Sequence, residues 1–186
     1  MTQQRMPDPV ELFERAVRGT HRYIANTRLG QMGEPTPCAE WNVRQLVEHI
    51  VGGPVFYYNV LSHGQDVGLD PAAGHLANYE KGTGKVIEAG RTGDTLSAIF
   101  PSPFGEMPGA QFIVTAALDI AIHGWDLAKA TGQDTHLNAG LVEQLHAIFA
   151  PNAAMLRAFG AFGPEVPIPA TGGTQERLLG ALGRRA

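Results

Sequence analysis

Asp119, His123 and Asp126 interrupt a run that is otherwise apolar, small or Thr: Phe112-Ile-Val-Thr-Ala-Ala-Leu-Asp-Ile-Ala-Ile-His-Gly-Trp-Asp-Leu-Ala128. On a helix of 3.6 residues per turn the three share one face, so a carboxylate and an imidazole one turn apart reach a common point. A helix this apolar all round belongs inside a protein. Leaving its polar stripe unpartnered there costs on the order of several kcal/mol. A divalent metal ion satisfies such a stripe. Two plainer arrangements use the same residues: an Asp119–His123 hydrogen-bonded pair without an ion, or a helix less buried than its composition implies.

His49 offers a second imidazole. It follows Trp41-Asn-Val-Arg-Gln-Leu-Val-Glu and falls on one helical face with Leu46, Ile50, Gly53, Phe56, Tyr57 and Val60. It is either a satisfied core histidine or a ligand. If its helix packs beside the Asp119 helix, His49, Asp119 and His123 make a set of two imidazoles and one carboxylate. That set suits Zn²⁺, Ni²⁺ or Fe²⁺ and leaves coordination positions open. Asp126 is positioned to orient an imidazole from behind, or else to meet a neighbouring helix end or Lys129.

The elements that must hold these residues are readable from their ends. Asp8-Pro9 is a cap followed by proline in the first turn, and apolar spacing carries that helix to about Thr27. Asn42 and Gln45 form a capping box for the His49 helix, with Trp41 and Leu46 as a hydrophobic staple. Pro54 predicts a kink, and Gly52 and Gly53 leave room for close contact. Between Ser62 and Pro108 the signals are weak: a short helix over Asn78–Ala89, a short strand over Thr95–Phe100, then a Pro/Gly turn cluster. A connection this long reads as a crossover that returns the chain along a bundle. The Asp119 helix runs from about Pro108 to Ala130 and ends at Gly132. Asn138 caps a further helix carrying Leu141, Leu145, Ile148, Phe149, Ala153, Leu156 and Phe159, interrupted by Pro151. Thr174–Gly183 closes the chain as a short helix.

The 186 residues suffice for one domain with a core, and one domain over 1–186 is the expectation. A net charge of −4 gives no basic footprint for nucleic acid. The single Cys38 excludes an intramolecular disulfide. No apolar leader and no span of about 18 apolar residues is evident, so a cytoplasmic protein without membrane contact is expected. Other motifs are weaker. Glu143 and His146 form one Glu-x-x-His pair, where di-iron bundles need two and further carboxylates. Lys81-Gly-Thr-Gly-Lys85 lacks the first Gly, the Ser or Thr and the preceding strand of a phosphate loop. Cys38 lies near the start of the His49 helix, where the dipole lowers a thiol pKa, but reads as a packing residue. His63, His75 and His136 have no partner at ligand spacing.

Thr36-Pro-Cys-Ala-Glu-Trp-Asn-Val-Arg-Gln-Leu-Val-Glu-His-Ile-Val-Gly-Gly53, Pro103-Phe-Gly105, His123-Gly-Trp-Asp-Leu-Ala-Lys-Ala-Thr-Gly132 and Arg177-Leu-Leu-Gly-Ala-Leu-Gly-Arg184 form one pattern. It resembles the actinobacterial DinB-like metal-binding proteins, relatives of mycothiol-dependent maleylpyruvate isomerase. The resemblance implies an all-α fold, a DinB-like four-helix bundle with a long crossover between its second and third helices. It implies a divalent metal, zinc first, held by His49, Asp119 and His123. It also implies a mycothiol-type thiol cosubstrate and a transferase or isomerase acting on a small electrophile. A non-catalytic metal-binding module is the alternative, and a homodimer is the one protein assembly in view. Asp119 stands where the characterised isomerase carries Glu, and the expectation is a chain corresponding to that enzyme's N-terminal metal-binding domain.

Overall fold

Helix starts in this chain follow side chains able to accept from amides that a helix leaves unpaired. In the computed structural model, which describes residues 7–158, 160 and 162–186, α1 (Pro9–Asn26) begins after Asp8. The Asp8 carboxylate accepts from the Val10 and Glu11 amides at 2.8 and 3.2 Å. Helix α2 (Val43–Leu61) begins after Asn42, whose side chain and that of Gln45 exchange hydrogen bonds with each other's amides, both at 3.0 Å. It runs unbroken through Pro54.

The segment read as a crossover with a short helix holds a 17-residue helix instead, α3 (Gly74–Gly90). Its glycines lower helix propensity and hid its length, but two of them are where neighbours come closest. A Cβ on Gly82 would lie 3.1 Å from Pro54 Cβ of α2, and one on Gly90 would lie 2.9 Å from a Val10 methyl of α1. Close packing of side chains from α1 and α2 against these glycines, not intrinsic propensity, decides this helix.

A small antiparallel pair, β1 (Ile99–Phe100) and β2 (Met107–Pro108), follows, with Phe100 opposite Met107. Its turn is closed by reciprocal backbone bonds between Ser102 and Gly105, and Gly105 takes φ 101°, which its missing Cβ permits. Strand β2 leads directly into α4 (Gly109–Thr131), which ends on Gly132 in the left-handed region.

As its composition demands, α4 is the most buried helix of its unit, with residues 112–114, 116–118, 120–122 and 124–128 all buried. Helix α1 packs along it, and α2 packs against both α3 and α4. The α1–α4 seam closes at Gly124, where an added Cβ would sit 2.1 Å from Thr20 Oγ1. Thr20, itself buried, donates its hydroxyl proton to the Ile120 carbonyl at 2.9 Å.

The chain divides into two compact units, one ending at Thr135 and one spanning His136–Ala186. In the second, Asn138 accepts from the Leu141 amide at 3.0 Å and starts α5 (Ala139–Phe149). A 3-10 turn containing Pro151 follows, then α6 (Ala153–Ala158) and α7 (Thr174–Ala181), with α5 packed on α7. Phe159, assigned to the apolar face of this region, lies outside the described residues. The fold is all-α apart from the small hairpin. No helix among the described residues is long and apolar enough to cross a membrane.

Gly124→Ala is expected to lower stability by about 1–3 kcal/mol in urea denaturation, the usual cost of overpacking. Thr20→Ala removes the hydroxyl in the way, so the double variant should lose less than the sum of the two single losses. Strict additivity would mean that the two residues do not share the seam.

Candidate functional site

Helix α2 delivers His49 and α4 delivers Asp119 and His123 to one point. His49 Nε2 lies 3.5 Å from Asp119 Oδ1, and His123 Nε2 lies 3.4 Å from the same oxygen. The two imidazole rings meet edge to face, centroids 4.6 Å apart at 76°. Gly53, one turn beyond His49, makes space for the carboxylate, since a Cβ there would stand 3.3 Å from Asp119 Oδ2.

Behind His123 sits Asp126, fully buried. His123 Nδ1 is 3.2 Å from Asp126 Oδ2. A hydrogen on Nδ1 is the tautomer that this contact with a carboxylate favours, and it turns the Nε2 lone pair toward Asp119 Oδ1. His49 Nε2 is buried, makes no hydrogen bond and is 3.5 Å from that oxygen, beyond the usual hydrogen-bond range of about 2.7–3.2 Å. Two imidazole nitrogens converging on one carboxylate oxygen form a donor set of the kind that holds a cation.

The spacing fits one. Bonds of about 2.0–2.2 Å in a tetrahedral site put neighbouring donors about 3.3–3.6 Å apart, and the two measured separations fall in that interval. The residues present therefore fit a divalent metal, held by His49, Asp119 and His123, with Asp126 fixing the His123 tautomer.

Cys38 joins the same neighbourhood, which its sequence position did not disclose. Its Sγ donates to Asp126 Oδ2 at 3.2 Å and lies 3.7 Å from His123 Nδ1. Cys38, His123 and Asp126 thus form a second group with metal-ligand chemistry. The two groups differ in how they are satisfied. The thiol donates to Asp126 and the imidazole lies within hydrogen-bond distance of it, so the second group is linked internally, while the first leaves the buried His49 Nε2 without a hydrogen bond.

Trp41, read as half of a staple with Leu46, has its ring against both imidazoles, 4.6 Å from His49 and 5.6 Å from His123. Thr36 sets this loop by bonding to the Cys38 amide and to the Cys38 and Trp41 carbonyls at 2.8–3.1 Å.

On its other side the triad borders a cavity of about 360 Å³. Its walls are mainly Phe56, Tyr57 and Phe112 from the helices and Phe104 and Met107 from the hairpin, with His49 and Asp119 at one end. Burial, reinforced by the Asp119 carboxylate, pushes the Tyr57 phenol well above its ordinary value, so it stays protonated and neutral.

Residues 13–99 match the family described as mycothiol maleylpyruvate isomerase N-terminal domain. Uncharacterized protein Rv0738 of Mycobacterium tuberculosis (strain ATCC 25618 / H37Rv) is 35% identical over 188 residues, covering 95% of this chain and 98% of its own length. Uncharacterized protein MT0763 of strain CDC 1551 / Oshkosh matches equally. The chain belongs to the mycothiol maleylpyruvate isomerase N-terminal domain family. No solved structure gives a significant match.

The segment matching the mycothiol maleylpyruvate isomerase N-terminal domain contains Cys38, Trp41, His49 and Gly53, while Asp119, His123 and Asp126 lie beyond it. Of the residues the sequence singled out, His49, Asp119, His123 and Asp126 come together in the structure. His63 does not join them; its ring lies against Phe100. Trp41 and Cys38 both lie in the quoted Thr36–Gly53 stretch with His49, but nothing in its spacing places either beside the imidazoles.

Asp126→Asn puts an amide NH₂ where two donors now point, or turns its single carbonyl oxygen to only one arrangement of them. Metal-depleted protein should lose about 1–3 kcal/mol in urea denaturation, and zinc affinity should fall about 10–100-fold. Wild-type values for both would show that Asp126 does not orient His123.

Proposed function

We propose that this protein holds a divalent metal, zinc first and nickel or iron next, between His49, Asp119 and His123, and uses it with a low-molecular-weight thiol of the mycothiol type. The reaction class is transfer or isomerisation on a small electrophile, carried out in the cytoplasm. The observation that carries the reading is the convergence of His49 Nε2 and His123 Nε2 on Asp119 Oδ1 at 3.5 and 3.4 Å, with the first buried and making no hydrogen bond.

When bound, a divalent ion supplies positive charge that favours the thiolate form of an incoming thiol. The chain supplies the rest. Asp126 keeps the His123 ring in one tautomer and one orientation. Trp41 covers the imidazoles on one side and limits the approach of water. Asp119 contributes a negative charge that tempers the ion, and its shorter side chain is accommodated beside Gly53. The apolar cavity holds the second reactant next to the donors.

A non-catalytic module is the second reading, favoured by one feature: the three ligands link α2 to α4, so an ion there also ties two helices together. Three protein ligands rather than four, and a cavity at the site, support turnover.

His123→Ala is expected to abolish stoichiometric zinc binding. The wild type should gain about 2.7 kcal/mol from zinc at 100 times its Kd, and the variant nothing. The metal-depleted variant should fall short of metal-depleted wild type by about 1–3 kcal/mol, the cost of a lost partner for buried Asp126, and zinc should widen that gap. Equal destabilisation with and without chelator would return His123 to an ordinary core role. For the thiol, cobalt-substituted protein should develop a sulfur-to-cobalt charge-transfer band on adding a low-molecular-weight thiol near neutral pH. A cobalt site silent to every such thiol would leave only the module.

A further inference from the structure

We infer that the cavity beside His49 and Asp119 selects a neutral, ring-bearing compound and discriminates against carboxylated ones. That this compound is the electrophile rests on the function proposed above; its charge and shape rest on the cavity alone.

Size comes first. An engineered cavity of about 150 Å³ accommodates benzene, so about 360 Å³ takes an aromatic or alicyclic ring with several further atoms. Shape comes from three aromatic walls. Phe56 and Tyr57 are 5.4 Å apart at 70°, Phe56 and Phe112 6.0 Å at 62°, and Tyr57 and Phe112 4.9 Å at 59°. Such tilted rings leave faces and edges for another ring to pack against. Phe56 remains 46% exposed, and an apolar occupant would remove that surface from water.

Charge decides the class. No lysine or arginine is among the described residues that line the cavity, and Asp119 is its one carboxylate. A carboxylate entering these walls loses its hydration and gains no cation, while Asp119 repels it. An ion held by His49, Asp119 and His123 would offset one such charge only, and the lining offers a second carboxylate no cation, the Ser102 and Thr115 hydroxyls already donating to the Gly105 and Gln111 carbonyls. A neutral ring meets none of these penalties.

The test uses two unreactive probes of nearly equal shape, cinnamyl alcohol and cinnamate, with metal-depleted protein and titration calorimetry. The alcohol should bind roughly tenfold or more tightly than the anion, given the cost of desolvating a carboxylate. Gly52 lines the cavity, and a Cβ added there meets nothing within 4 Å. Gly52→Leu should therefore fold, fill part of the space and weaken the alcohol roughly tenfold, with zinc content unchanged. Cinnamate binding as tightly as the alcohol, no binding of the alcohol, or an unaltered affinity in Gly52→Leu would each overturn the inference. Because no metal is present in the titration, the preference can hold even if cobalt shows no thiol band. That outcome would sink the thiol chemistry and keep the selectivity.

Discussion

A carboxylate and an imidazole on the most buried helix of the first unit have to be satisfied largely from inside the protein, and the surrounding structure follows from how that is done. Asp119 and His123 keep only part of their surface open to water, because α1 and α2 pack along the helix that carries them. His123 turns Nδ1 to Asp126 and Nε2 to Asp119. His49 arrives from α2 with a buried nitrogen that makes no hydrogen bond. A cation between them, as proposed above, would satisfy these groups at once.

That requirement explains several small residues at positions where a larger one would be ordinary. Gly124 lets α1 approach close enough for Thr20 to bond to the Ile120 carbonyl, which fixes the turn between Asp119 and His123. Gly53 leaves room for the Asp119 carboxylate across the α2–α4 contact. Gly82 lets α3 press on Pro54, holding α2 from the other side. The site is thus positioned by helix spacing, with side-chain reach set by three glycines on three helices.

The residues that announce helix ends were legible in the sequence because their chemistry is local. Asp8, Asn42, Gly132 and Asn138 each act within a few residues of themselves, and each sits where its pattern placed it. The stripe on α4 was legible for the same reason, since its spacing is a property of one helix. The full length of α3 was not, because Gly74, Gly82 and Gly90 argue against a helix until its partners are known. Trp41, Cys38 and the aromatic cavity were also out of reach. Each depends on a loop or a hairpin folding back onto α2 and α4, which no periodicity within a single segment records.

The central claim is that one ion is shared by His49, Asp119 and His123, and not by Cys38, His123 and Asp126. X-ray absorption at the zinc edge of reconstituted protein, with no added thiol, separates the two directly. The account predicts a first shell of nitrogen and oxygen only, at about 2.0–2.2 Å, with the multiple-scattering signature of two imidazoles. A sulfur scatterer at about 2.3 Å, or a single imidazole, would contradict it.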